Sequence, residues 1–354
     1  MKVLKTKISN RLDIKTKRDD PRHYIKCLII FIWSLTSYIS LYFVESTTLQ
    51  VMLCISMGLG FTGFGFNLFH DSIHGSLSKS RKINHFFAFL SCSQLGVAHY
   101  FWRHKHNYLH HQFTNIEDWD DDLETRDGLR LAPGQPCSAR YHFQHLYAPI
   151  IYGLTTFEWI FIKDFVQYFT LKINDRQSIP KLKLPQHVEF WVSKIIYLSI
   201  FFALPLYYFP LKTFLVGLVI FHYSMSLSMA AVFQLAHIFD GSSYPEPNKE
   251  TNKLSIDWVE LQLSTTTNFG TSNKLLTWYA GGLNFQVEHH LLPMVSHIHY
   301  PAISKIVEET ANEFAFPYHT TTSYFPALSS HFKMMKNLGQ EKEQYSRKYV
   351  LQES

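Results

Sequence analysis

Charge is scarce in this chain. Asp, Glu, Lys and Arg make up 17% of its 354 residues, against about a quarter in ordinary soluble domains. Cysteine is scarcer still. Cys27, Cys54, Cys92 and Cys137 form no Cys-x-x-Cys pair, and two of them fall inside apolar runs. That excludes a disulfide framework and a zinc-thiolate site. The chain has no His-Glu-x-x-His, the signature of the usual zinc metalloprotease. It has no Glu-x-x-His, by which soluble di-iron bundles hold their metals. No internal repeat or low-complexity segment appears. A cleavable signal is not expected either, because both the basic leader and the apolar run behind it are too long.

In place of charge there are aromatics, 16% of the chain, and apolar runs of membrane-spanning length. The first 26 residues carry Lys2, Lys5, Lys7, Arg11, Lys15, Lys17, Arg18, Arg22 and Lys26. A basic stretch before a first apolar run marks the cytoplasmic side. The run follows at once, which argues against a nucleic-acid-binding arm. Cys27–Val44 and Ser46–Phe69 are long enough to span and form one hairpin around Glu45. Ile195–Leu211 and Thr213–Ala236 form a second around Pro210 and Lys212. Ile83–Trp102 also lacks charge between its ends, but Asn84, His85, Ser91, Ser93, Gln94 and His99 make it a re-entrant or interfacial segment. Leu146–Ile162, broken by Glu158, reads as interfacial too. The expected fold is an all-α membrane protein with four crossings and both termini inside. Its boundaries are a basic segment 1–25, a main domain 26–310 and a tail 311–354, with the last residues Glu341–Ser354 a solvated helix or frayed end. Within the main domain the hairpins cover about 26–69 and 192–238, and the cytosolic cap 70–190 and 239–310.

Three histidine clusters lie just beyond the apolar runs: His70 and His74; His106, His110 and His111; His289 and His290 with Gln286. Residues i and i+4 share one face of an α-helix, so each cluster can present its nitrogens together. Imidazole binds iron, zinc and copper. Seven clustered histidines exceed what one tetrahedral zinc accepts, and two metals sharing about eight ligands fit better. His237 joins them: it ends the fourth apolar run on the cluster side, where ionisable residues are functional more often than not. His104, seven residues before His111, could ligate or support a ligand. Asp71, Asn107 and Glu288 sit inside the clusters, where metal-bound imidazoles find partners for their other N–H; for Asn107 a plain surface position is an equal reading. His85, His99, His142, His145 and His222 show no pattern and read as structural. A membrane haem anchor or metal transporter is disfavoured, because the histidines lie at span ends and outside rather than at mid-membrane.

HDSIH at 70–74, KHNYLHHQFTN at 105–115 followed by Asp120–Asp122, and NFQVEHHLLP at 284–293 together resemble the membrane-bound fatty acid desaturase family. The segment from Trp258 through Thr265 to Asn268 is similar to the family's approach to its third box. The resemblance covers roughly residues 25–310. It implies a four-helix membrane mushroom, a cytosolic cap and a di-iron centre held by His70, His74, His106, His110, His111, His237, His289 and His290. Gln286 stands where many acyl-CoA Δ9 enzymes have a further histidine, as in front-end desaturases and in bacterial enzymes of other regiochemistry. Whether it ligates iron directly, through water or not at all stays open. No His-Pro-Gly-Gly haem motif is present, so a separate electron donor of ferredoxin, rubredoxin or cytochrome b5 type is implied. The expected reaction is O2-dependent desaturation of a long acyl chain carried on CoA or a lipid, with a hydroxylase of the same metal site as the alternative. Phe61–Phe69 and Phe86–Trp102 are candidates to line an acyl tunnel, and Arg103 and Lys105 to meet a headgroup. A bacterial inner membrane is favoured over the endoplasmic reticulum.

Overall fold

The structure is a computed structural model and describes residues 1–12, 18–125, 128–174, 176–248 and 250–340. The expectation for Glu341–Ser354, and Lys15 and Lys17 of the basic leader, lie outside the described residues. Helix dominates. Among the described residues the only strands are Thr267–Phe269 and His319–Thr321, paired in parallel with Asn268 opposite Thr320. Among the described residues four helices are long and apolar enough to cross a membrane: Pro21–Phe43, Thr47–His74, Leu184–Tyr208 and Leu211–His237.

These are the two expected hairpins, with the first and third spans beginning earlier than the hydropathy suggested. Lys26 and Lys194 interrupt the apolar runs in sequence, but both are buried. Lys194 Nζ donates to Gly96 O at 2.6 Å, Ile160 O at 2.9 Å and Asp164 Oδ2 at 2.7 Å. A Lys so satisfied can sit inside a span. Asp20 caps the first span by accepting from Arg22 N at 2.9 Å, with Pro21 at the first helical position.

The chain divides into two compact units. One comprises Arg18–His104 and Tyr152–Ala230. It holds the first three spans and most of the fourth. Small residues let its helices approach closely: a Cβ on Gly60 would lie 2.7 Å from Ser34 Oγ, and one on Gly58 2.0 Å from Ser224 Oγ. Polar side chains are satisfied across helices, as lipid surroundings demand. Trp33 Nε1 donates to Ser56 Oγ at 2.9 Å and Thr62 Oγ1 to Met225 O at 3.0 Å. Phe61 and Phe69, expected to line a tunnel, are packed in the core with Tyr197, Phe201 and Phe221. No single helix covers Ile83–Trp102. The helix Arg81–Leu95 is roughly 22 Å long at 1.5 Å per residue, short of the ~30 Å hydrocarbon core. It stops at Gly96, whose φ is +73° and whose Cβ, were there one, would meet the Tyr197 ring at 2.9 Å. The chain resumes as His99–Arg103.

The other unit comprises Met1–Lys17, Lys105–Ile151 and Ala231–Ser354, and two expected boundaries fall inside it. The leader is not a separate segment. Helix Lys2–Arg11 buries Leu4 and Ile8 in one core with Tyr300, Ile303 and Val307 of helix Tyr300–Glu313, and Lys7 and Arg11 pair with Glu313 and Glu309. Nor does a tail begin at 311. His319–Thr321 completes the strand pair, and helix Tyr324–Gln340 is tied down along its length. Arg130 donates to Leu338 O at 2.5 Å, Gln144 to Met335 O at 2.8 Å and His331 Nδ1 to Ile238 O at 2.8 Å. These partners lie nearly 100 residues or more away in sequence, so local pattern could not reveal them.

Candidate metal centre

Three stretches of the second unit described above bring six imidazoles together. The first is residues 105–111, of which those through His110 lie in a π-helical rather than an α-helical turn. A π turn bonds i to i+5. It therefore aligns His106 with His111, whose Nε2 atoms lie 3.3 Å apart. The α spacing assumed from sequence would have turned His111 away from His106. The second stretch is the end of the fourth span, which delivers His237. The third is the short helix Gln286–Leu291, which delivers His289 and His290. All six rings are buried.

Their nitrogens form two overlapping triads. His110, His237 and His290 converge on one point, and His111, His289 and His290 on another, with the ligand atoms of each triad within 4.8 Å of one another. The outward nitrogens are fixed. His110 Nδ1 lies 3.1 Å from both carboxylate oxygens of Asp120. His290 Nδ1 donates to Gln262 Oε1 at 2.7 Å, and His237 Nδ1 to Thr265 O at 3.3 Å. With the proton held on Nδ1, each of these rings presents an Nε2 lone pair to the shared space, the tautomer that metal binding needs. Gln286 Nε2 lies 3.0 Å from His237 Nε2 and 3.3 Å from His290 Nε2, and its Oε1 is buried without a hydrogen-bond partner.

Burial and the neighbouring imidazoles hold His290 well below the ordinary histidine range, which keeps it neutral. For His110 burial acts the same way, but Asp120 and Asp122 outweigh it and the net shift is upward. Nitrogen-rich, buried and pre-oriented, this donor set fits first-row ions such as iron.

The expected supporting residues divide. Asp120, Gln262 and Thr265 hold the imidazoles, in segments the sequence flagged only by family resemblance. Asn107 is half-buried, and the Nδ1 contacts of His110, His237 and His290 go elsewhere. Glu288 is buried, but it accepts from Asn268 Nδ2 at 2.8 Å and Tyr318 OH at 2.9 Å and braces its helix to the strand pair. Burial pushes its carboxyl up to about 8. Lys105 is not available to a headgroup. It is buried, with Asp122 at 2.6 Å and Asp121 at 3.2 Å.

His70 and His74 belong to the span unit. They are buried with ring centroids 4.6 Å apart, on a helical turn entered through a π turn at Gly65–Phe69. His23 Nε2 donates to Asn67 O of that turn at 2.8 Å. Asp71 lies 3.4 Å from His70 Nδ1 and 3.6 Å from His23 Nε2. His104 is half-buried at the end of the same unit.

A family model described as fatty acid desaturase matches residues 46–322. The sn-1 linoleoyl-lipid 6-desaturase of Synechocystis sp. is 29% identical over 92% of this chain and 90% of its own length. The protein of the same name from Arthrospira platensis is 30% identical over 91% of this chain and 87% of its own. The acyl-lipid (8-3)-desaturase of Physcomitrium patens is 34% identical over 90% of this chain and 67% of its own.

Proposed function

Because this chain belongs to the fatty acid desaturase family, we propose that it uses a di-iron centre to insert a cis double bond into a fatty acyl chain esterified in a membrane lipid. The chain is a membrane-embedded oxidoreductase of fatty acids. The observation that carries the metal reading is the anchoring of three buried imidazoles through Nδ1. Asp120, Gln262 and Thr265 each accept a hydrogen bond from that nitrogen, so that Nε2 is the nitrogen each ring turns to the shared side. The proposed ligand set is these three with His106, His111 and His289, joined by His70 and His74 through the family resemblance.

When bound, iron supplies the O2-dependent oxidation that removes two hydrogens from adjacent methylenes. Two electrons and two protons complete the reduction of O2 to two waters. The electrons come from a separate donor of ferredoxin, rubredoxin or cytochrome b5 type. The protein's own part is to keep each imidazole in one tautomer, to bury the centre away from bulk water, and to hold the rings rigidly through three separate elements. Lipid-linked acyl chains are favoured over CoA because the relatives from Synechocystis sp., Arthrospira platensis and Physcomitrium patens bear linoleoyl-lipid or acyl-lipid names. The glutamine at 286 is consistent with a bond on the carboxyl side of an existing one. The basic N-terminal stretch ahead of the first span favours a cytoplasmic metal centre in a bacterial inner membrane.

The test is expression of the full chain in a host of defined lipid composition. Double bonds are then located by mass spectrometry, separately in the glycerolipid and acyl-CoA pools. A new bond appearing first in glycerolipid is expected. New double bonds confined to CoA would overturn the carrier, and hydroxy-acyl products alone would overturn desaturation. About two irons per chain after anaerobic iron loading are expected; one zinc and no iron would refute the metal assignment.

A further inference from the structure

Outside the histidine boxes, the span unit gathers a second set of metal-ligating side chains. His85 comes from helix Arg81–Leu95, His99 opens helix His99–Arg103, and Glu189 lies near the start of the third span. His85 Nε2 bonds Glu189 Oε1 at 2.7 Å. His99 Nδ1 stands 3.6 Å from Glu189 Oε2, too far for a hydrogen bond, and it has no other partner although His99 is only 8% exposed. The two rings sit edge to face with centroids 5.2 Å apart. The three candidate ligand atoms lie within 4.8 Å of one another.

We propose that His85 Nε2, His99 Nδ1 and a Glu189 carboxylate oxygen form a third metal site that binds a divalent transition ion, zinc in the first instance. Two imidazoles and one carboxylate leave a fourth tetrahedral position for water, and the half-exposed His85 puts that position within reach of solvent. An ion about 2.0–2.1 Å from each ligand separates ligand atoms by roughly 3.3 Å. His85 Nε2 lies 2.7 Å from one Glu189 oxygen and His99 Nδ1 3.6 Å from the other, and the three ligand atoms lie within 4.8 Å of one another, so side-chain rotation closes the set around an ion. The ion would also satisfy the one buried nitrogen here that has no partner. Burial holds His99 below the ordinary histidine range, with Arg103 and His85 acting in the same direction and Glu189 opposing, so the ring is neutral and competent to ligate. His85 and His99 flank the break at Gly96. An ion held by both and by Glu189 would clip the re-entrant segment onto the third span.

The site is tested on full-length, iron-loaded protein in nanodiscs. Titration with zinc followed by metal analysis is expected to add one zinc per chain to the wild type without loss of iron, and none to Glu189→Gln or His99→Ala. No added zinc, equal uptake by the variants, or zinc gained only as iron is lost would each overturn the proposal. A second measurement needs no variant. Acylation of His85 by diethylpyrocarbonate, read by peptide mass spectrometry, should fall about tenfold at free zinc near ten times its Kd. Undiminished labelling at saturating zinc would refute the site even if both variants fail to fold.

Discussion

Asp120→Asn isolates the tautomer argument on one residue. Asp120 is fully buried. It accepts His110 Nδ1–H through both oxygens at 3.1 Å, Asn115 N–H at 2.9 Å and Asp122 N–H at 3.1 Å. Asparagine keeps the shape but offers one oxygen where two now accept, and it turns an amide N–H toward a donor. His110 then loses its charged anchor and can swap the proton to Nε2, the nitrogen aimed at the metal. Loss of such an outer partner weakens metal binding about 10- to 100-fold, or about 1.4–2.8 kcal/mol. The cost to the metal-free fold is about 1–3 kcal/mol for one mismatched buried donor. Iron affinity is measured by competition with a chromogenic chelator, and metal-free stability by thermal melting in the same detergent. The expected result is weaker iron retention in a protein that still melts cooperatively. An iron affinity within twofold of wild type would refute the view that Asp120 sets the tautomer of His110.

His237→Ala should abolish new unsaturated product in the expression host while the protein still accumulates in the membrane; retained product, read by gas chromatography, would exclude His237 as a ligand. Gly96→Ala places a side chain at φ +73° against the Tyr197 ring, so a destabilisation of about 1–3 kcal/mol is expected, and an unchanged melting temperature would contradict it. His331 is buried, donates through Nδ1 to Ile238 O and has its pKa pushed down from 6.5 to about 4 by burial. As pH falls below about 6.5 the unfolded chain takes up a proton that the folded chain refuses. Stability should therefore decline between about pH 6.5 and 4, by up to about 3 kcal/mol, and level off below. His331→Asn, which keeps a donor at the same place, should flatten that part of the melting-temperature profile.

The four candidate spans were legible because hydropathy needs only local sequence. The starts of the first and third spans were not, because Lys26 and Lys194 count as interruptions until burial and partners are seen. The clustering of His106, His110, His111, His289 and His290 was legible from spacing, and that of His237 from its place at a span end. Their arrangement was not. His106 meets His111 through a π turn that no residue type announces. Gln262 and Thr265 hold their imidazoles from a helix that precedes the third box by some twenty residues. His85 and His99 read as structural because neither pairs at helical spacing, and the carboxylate that joins them is contributed by a span about 100 residues on. The docking of Tyr324–Gln340 was missed for the same reason: its anchors Arg130 and Gln144 lie far back in the chain.

Lys194 also bears on the order in which the protein is made. A lysine near the centre of a lone span costs about 2.5–3.5 kcal/mol on insertion scales. Every group that satisfies Lys194 in the structure, Gly96 O, Ile160 O and the Asp164 carboxylate, precedes it in the chain. When the third span leaves the ribosome, its acceptors have already been synthesised, and the ammonium can be received as the helix enters the bilayer. Removal of the acceptor through Asp164→Leu should therefore show first as failed insertion of the third span during translation. The same substitution made tolerable by Lys194→Met would restore biogenesis without restoring any contact of the native charge pair.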